Sequence, residues 1–289
     1  MNRRQEKRRI AALDPETDYH EIFKHMATQD LGWEHRFGLS FAFYRIFAVP
    51  RMAKLLAHTG HIEARPIKRM YDTGLLMYDL SYHGPEHPRG REVIRKLNTM
   101  HRRWEIANED YLYVLASLVV VPVRFMDEYG WRHPTAKERE ANLAFYCRVG
   151  ELMAIQDVPS TMQDFERYFD AYEAQHLAPS DDGRRLMNAT KPVAEDWFPG
   201  PLTILADPLT RVLLGERISR CLGQDPAPAW ARVLVRSALT IRGVALRVVP
   251  VLRIPLITPG DPVGPYEKGY TLDDLGPTGA TAAESRGIR

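Results

Sequence analysis

Arg69, Thr73 and His101 combine reactive chemistry with apolar surroundings. Arg69, Thr73, Leu76 and Leu80 fall at i, i+4, i+7 and i+11, one stripe of a helix. An arginine in line with leucines must snorkel or find an anionic or polar partner, because burying a lone charge is costly. Ile94, Leu97, His101 and Trp104 repeat the pattern at i, i+3, i+7 and i+10, so His101 is expected to face the core. Such a histidine has two readings. It is a hydrogen-bonded core residue, or its neutral imidazole is an axial haem ligand with apolar neighbours against the porphyrin. In the second reading Arg69 and Thr73 supply a cation and a hydroxyl, which can stabilise bound dioxygen or a developing negative charge. Spacing alone leaves both open.

Other candidates are weaker. His20 and His25 mimic a zinc-protease pair but stand five apart, and a helix puts residues four apart on one face. Glu173-x-x-His176 has the form of a di-iron half-site, but a single copy lacks the other ligands. His133 reads as a loop residue, and His58 and His61 as turn residues beside Gly60. The sequence contains no G-x-S-x-G elbow, P-loop or G-x-G-x-x-G.

The elements that must position these residues read as helices. Asp14-Pro15 resembles an N-cap with proline at N1, opening a helix through Tyr19, Ile22, Phe23 and Met26. A segment 39–56 is expected to break near Pro50. Pro66 opens a helix to about Leu80, stopped by Gly84-Pro85, and further helices are expected near 89–107 and 108–129. Thr135 and Glu138 form a capping box for a helix ending near Gly150; Ser160 to Gln163 repeats the device for one reaching His176. Three more helices are expected near 182–198, 208–222 and 227–250. Asn108 and Asp110 read as caps of the helix carrying Tyr111. The fold class is therefore all-α: one multi-helix domain over 39–257, an N-terminal helical extension over 1–38, and a loosely ordered tail over 258–289, rich in Gly, Pro and Thr.

Composition limits the rest. The 289 residues, 45% hydrophobic, suffice for a sizeable core. Thirty-nine basic against 37 acidic residues leave a net charge of +2, which argues against a nucleic-acid partner held by bulk electrostatics. Cys147 and Cys221 are too few for a disulfide scaffold and fit a reducing compartment. Met1 to Ile10 is basic but lacks the apolar centre of a signal peptide. The apolar runs 39–49 and 111–123 fall short of the ~20 residues that cross a bilayer and read as buried helices. The expectation is a cytoplasmic protein with peripheral membrane association left open.

The ordered pieces Arg69-Met70-Tyr71-Asp72-Thr73, His101, Ile106-Ala107-Asn108-Glu109-Asp110-Tyr111-Leu112-Tyr113, Pro122-Val123-Arg124 and Tyr129-Gly130-Trp131-Arg132 resemble the MpaB oxygenase family, which includes the rubber oxygenases. Glu138-Arg139-Glu140-Ala141, Gly150-Glu151-Leu152-Met153 and Asp157-Val158-Pro159-Ser160 continue the resemblance, which covers roughly Phe41 to Tyr172. It implies an all-helical haem b protein, globin-like at its centre, that cleaves carbon–carbon double bonds of isoprenoid chains with dioxygen. His101 would then be the proximal iron ligand, with Arg69 and Thr73 the distal polar pair.

On that reading Arg102, Arg103, Arg124 and Arg132 are candidates for the haem propionates, since guanidinium suits carboxylates. Rubber-cleaving members can place a lysine just before the threonine, whereas this chain has Asp72. The membrane anchor that precedes the fungal domains is not found here. The expected substrate is a small apolar, unsaturated, terpenoid-like molecule rather than a polymer. Two alternatives stay beside this reading: a non-catalytic helical protein binding an apolar ligand, and a haem protein acting as a peroxidase or gas sensor.

Overall fold

The structure is a computed structural model that describes residues 3–196, 200–248 and 257–277. In chain order its helices are α1 (Arg3–Ala12), α2 (Tyr19–His25), α3 (Gly32–Phe47), α4 (Pro50–Thr59), α5 (His61–Ala64), α6 (Pro66–His83), α7 (Pro88–His101), α8 (Asn108–Tyr129) and α9 (Ala136–Leu152). There follow α10 (Met162–His176), α11 (Asp181–Ala189), α12 (Lys191–Glu195), α13 (Ala206–Leu214), α14 (Glu216–Cys221) and α15 (Ala229–Val248). Among the described residues there is no strand, only an isolated bridge between Val263 and Tyr266, so the fold is all-α. No helix among them is long and apolar enough to cross a membrane.

Local chemistry explains most boundaries. Pro50 takes the first turn of α4 behind an extended Val49, so the expected break at this proline is present. Gly84, at φ +89°, ends α6 in a conformation that a side chain would resist. Both bonds of the Thr135–Glu138 capping box form at the start of α9.

Five boundaries differ from expectation. Asp14-Pro15 opens no helix: the Asp14 carboxylate accepts from the Glu16 amide at 2.9 Å, an Asx turn that delays α2 to Tyr19. At α10 the cap is Thr161, whose hydroxyl donates to Asp164 at 2.6 Å and accepts from its amide, not Ser160 with Gln163. Helix α7 stops at His101, six residues early, so Trp104 lies beyond its end. The segments near 182–198 and 208–222 are each divided into two helices, at Thr190 and at Gly215.

The described chain groups into two compact units. The first comprises Met1–Leu39, Leu76–Ala171 and Gly243–Pro259; the second comprises Ser40–Leu75, Tyr172–Arg242 and Gly260–Arg289. In the first, Phe23 of α2 stacks on Phe145 of α9 with centroids 3.9 Å apart, and Tyr146 and His35 meet it edge-on. Helix α8 buries Leu112, Leu115, Val119, Val120 and Val123, which accounts for the apolar run 111–123. Its internal Pro122 packs against Gly38, where an added Cβ would come within 2.9 Å of the proline ring.

In the second unit Tyr44 and Phe47 of α3 are fully buried. Arg45 grips Glu173 with two hydrogen bonds of 2.7 and 2.9 Å, so this carboxylate is committed to a guanidinium. The expected loose tail divides. Residues 257–277 are described, with Tyr270, Leu272 and Leu275 buried, while 278–289 lie outside the described residues.

Candidate functional site

The Arg69 stripe of α6 sits as the spacing requires. Leu76 and Leu80 are buried, while Arg69 and Thr73 are half-buried. The Arg69 guanidinium donates to the Thr73 hydroxyl, which in turn donates to the Arg69 carbonyl at 3.2 Å. Its head lies 5.8 Å from the centre of the Phe43 ring, a cation–π contact. No carboxylate pairs with this guanidinium among the described residues. Desolvation lowers its pKa, with the charge of Asp72 acting in the opposite direction. Arginine has five N–H donors, and a threonine hydroxyl and an aromatic face leave most of them unspent.

Asp72, on the neighbouring face of α6, is buried and fully occupied. One carboxylate oxygen accepts from Lys68 at 2.8 Å and the other from the Tyr266 hydroxyl. The Lys68 ammonium also reaches the carbonyls of Asp274 and Gly276, each at 3.2 Å. Burial raises the Tyr266 pKa, and the hydrogen bond to Asp72 raises it further. Sequence reasoning identified Asp72 but missed Lys68 and Tyr266. The signal available was the cluster Tyr266, Tyr270, Leu272 and Leu275, too apolar for a solvated tail.

His101, in the first unit, closes α7. Its ring is half-buried, with Nδ1 inaccessible, and meets Tyr111 edge-on at 5.7 Å. Side chains pin the segment on both sides of it. Asn98 donates to the Leu152 carbonyl at 3.1 Å; Asn108 donates to the Gln156 carbonyl at 3.1 Å and accepts from the Gln156 amide at 2.8 Å. The turn they hold contains Ala154 and Asp157, both at φ +58° without being glycine. Asn108 therefore clamps this turn; the position capping α8 is Ala107. The pieces Asn108, Gly150 to Met153 and Asp157 to Ser160 are thus brought together around one turn.

The arginines considered for propionates differ in setting. Arg132 is held by Asp30 at 2.5 Å and by Glu138 at 2.6 Å, and both carboxylates are buried. Burial works to raise the Glu138 pKa, but the Arg132 hydrogen bonds and charge, with the Thr135 donors, bring it below its ordinary value. Arg124 makes two parallel bonds to Asp170 at 2.7 and 2.8 Å. Arg102 and Arg103 are exposed immediately after His101. Both cysteines are unbridged, and burial raises each thiol, Cys147 to about 11, which disfavours a thiolate nucleophile.

A family described as "ER-bound oxygenase mpaB/B'/Rubber oxygenase, catalytic domain" matches residues 37–243, a span containing Arg69, Thr73, His101, Arg102, Arg103, Arg124 and Arg132 but not Tyr266. Among characterised relatives, ER-bound oxygenase mpaB' of Penicillium brevicompactum is 25% identical over 246 residues, covering 78% of this chain and 58% of its own length. ER-bound oxygenase mpaB of the same organism is 24% identical, covering 78% and 56%. The chain thus spans a little over half the length of these relatives. Latex clearing protein LCP in its closed state superposes with a TM-score of 0.60 at 18% identity, covering 83% of this chain and 69% of that one, a likeness of fold. The chain belongs to the family of mpaB/B' and rubber oxygenase catalytic domains.

Proposed function

We propose that this chain is a haem b-dependent oxygenase that uses dioxygen to cleave or oxidise a carbon–carbon double bond in a small apolar, isoprenoid- or terpenoid-like substrate. The observation that carries the reading is the Arg69 head: desolvated, fixed by Thr73 and Phe43, and paired with no carboxylate among the described residues. Such a group is prepared for a small, polarisable or anionic partner.

The residues fit a haem in their chemistry. His101 offers a half-buried imidazole, a nitrogen donor that would hold the iron of a bound haem. When bound, haem b supplies redox-active iron for oxygen chemistry. The chain's own part is orientation and charge. His101 is the proposed iron ligand, its ring direction supported by the edge of Tyr111. Arg69 directs N–H donors at negative charge developing on oxygen, and Thr73 holds that guanidinium in one rotamer. Phe43 contributes an apolar face that keeps water from the guanidinium. Arg132 and Arg124 already hold carboxylates, so Arg102 is the arginine proposed for a propionate. Cleavage conserves atoms simply: one dioxygen supplies both oxygens, and each alkene carbon becomes a carbonyl carbon.

The test is the visible spectrum of the purified chain, oxidised and dithionite-reduced, beside a pyridine haemochrome assay. Stoichiometric haem b is expected, lost in His101→Ala. Arg69→Ala is expected to keep haem while losing turnover of an unsaturated terpenoid under isotopically labelled dioxygen. Absence of haem after reconstitution, or full activity in both variants, overturns the reading.

A further inference from the structure

Helix α15 turns a continuous apolar stripe to the outside. Trp230, Val233, Leu234, Ile241 and Val244 fall at i, i+3, i+4, i+11 and i+14, one helix face, and all are exposed; Val233 and Ile241 keep 65% and 68% of their surface. Ser237, Ala238 and Ala245, exposed on the same side, join the two halves of the stripe. The opposite side is anchored by buried Ala231, Val235 and Gly243. From Trp230 to Val244 the stripe extends about 21 Å at 1.5 Å per residue. Exposed apolar surface of this extent marks an interaction site rather than scattered surface residues.

The charge pattern identifies what covers it. Helix α15 carries Arg232, Arg236, Arg242 and Arg247 and no carboxylate. Arg236 and Arg247 fall along one flank of the stripe and Arg242 along the other, whereas Arg232 lies on the side opposite the stripe; the Arg247 Nε also donates to the Trp131 carbonyl at 2.9 Å. We propose that α15 is a docking helix that lies on an anionic lipid surface, with Trp230, Val233, Leu234, Ile241 and Val244 at the acyl boundary and the flanking arginines Arg236, Arg242 and Arg247 among the headgroups. Four cations exceed what a spanning helix carries, whereas an apolar face bordered by arginine suits a helix lying in the membrane interface. Long arginine stems allow the heads to reach phosphate while the stripe inserts. A second copy of this chain is a poorer occupant: its own α15 would bring arginines against arginines with no carboxylate on either helix to answer them.

The test uses the full chain in vesicle co-flotation, independently of haem content or turnover. Wild type is expected to float with phosphatidylcholine vesicles containing one-third phosphatidylserine. Binding should be at least about ten-fold weaker on pure phosphatidylcholine, as expected for the loss of two or more arginine–lipid attractions. Ile241→Glu and the charge reversal Arg236→Glu should each reduce binding about ten-fold without changing the thermal unfolding midpoint, because these side chains are exposed. Failure of wild type to bind anionic vesicles, or equal binding by both variants, overturns the proposal. A dimer that Ile241→Glu converts to monomer, with no vesicle binding by wild type, reassigns the stripe to a second copy.

Discussion

Tyr266 donates its hydroxyl to Asp72, tying the segment 257–277 to α6 at the residue just before Thr73. Lys68 strengthens the tie by meeting the same carboxylate and two carbonyls of that segment. Asp72 thus spends both carboxylate oxygens on a structural clamp.

Removing that clamp should be measurable. Tyr266→Phe deletes one hydrogen bond to a charged acceptor, a loss of about 1.5–3 kcal/mol, at the lower end because the tyrosine is partly exposed. Urea unfolding of Tyr266→Phe, Asp72→Asn and the double variant should give a coupling energy of about 0.5–3 kcal/mol. Strict additivity would show that the bond contributes nothing.

The Asp30–Arg132–Glu138 cluster should be intolerant of losing one member. Arg132→Met leaves two buried carboxylates uncompensated, with a cost of about 3–5 kcal/mol in chemical denaturation. Glu138 has a folded pKa below its ordinary 4.5. Its contribution is therefore complete above about pH 4.5 and is lost as pH falls through the lower folded value. A Glu138→Gln variant should lose most of its stability deficit relative to wild type in acid, and an unchanged deficit would refute the linkage.

His35 should confer pH dependence at milder acidity. It is buried edge-on against Phe23, its Nε2 has no hydrogen-bond partner among the described residues, and burial lowers its pKa from 6.5 to about 3. The neutral ring is favoured, so its contribution is present above pH 6.5 and is lost as pH falls toward 3. The slope is up to about 1.4 kcal/mol per pH unit. His35→Phe should flatten the thermal-stability profile between pH 6.5 and 4; an unaltered slope would assign the pH dependence elsewhere.

Asn108 should matter for order rather than for helix initiation. Asn108→Ala removes both of its bonds to Gln156 and frees a turn that contains two non-glycine residues at positive φ. A stability loss of about 1–3 kcal/mol is expected. It should come with faster amide exchange across 152–157. Slow exchange there in the variant would show that the turn is held by other contacts.

The helical class was legible in the order of residues alone, because apolar periods, prolines and capping residues act within a turn or two of the residues they govern. Pro50, Gly84 and the Thr135–Glu138 box show this directly. The α6 stripe and the oxygenase family were legible there too, since both depend on order and spacing along the chain. Tertiary structure decided what those local rules cannot reach. Helix α7 ended at His101 while asparagines on either side gripped a distant turn; the Asp14-Pro15 turn, by contrast, is local, a carboxylate taking the backbone amide two residues on. Arg132 and Arg124, plausible propionate partners as isolated guanidiniums, acquired carboxylates from far along the chain. Tyr266 reached Asp72 across 194 positions, and no local period records a hydrogen bond at that separation.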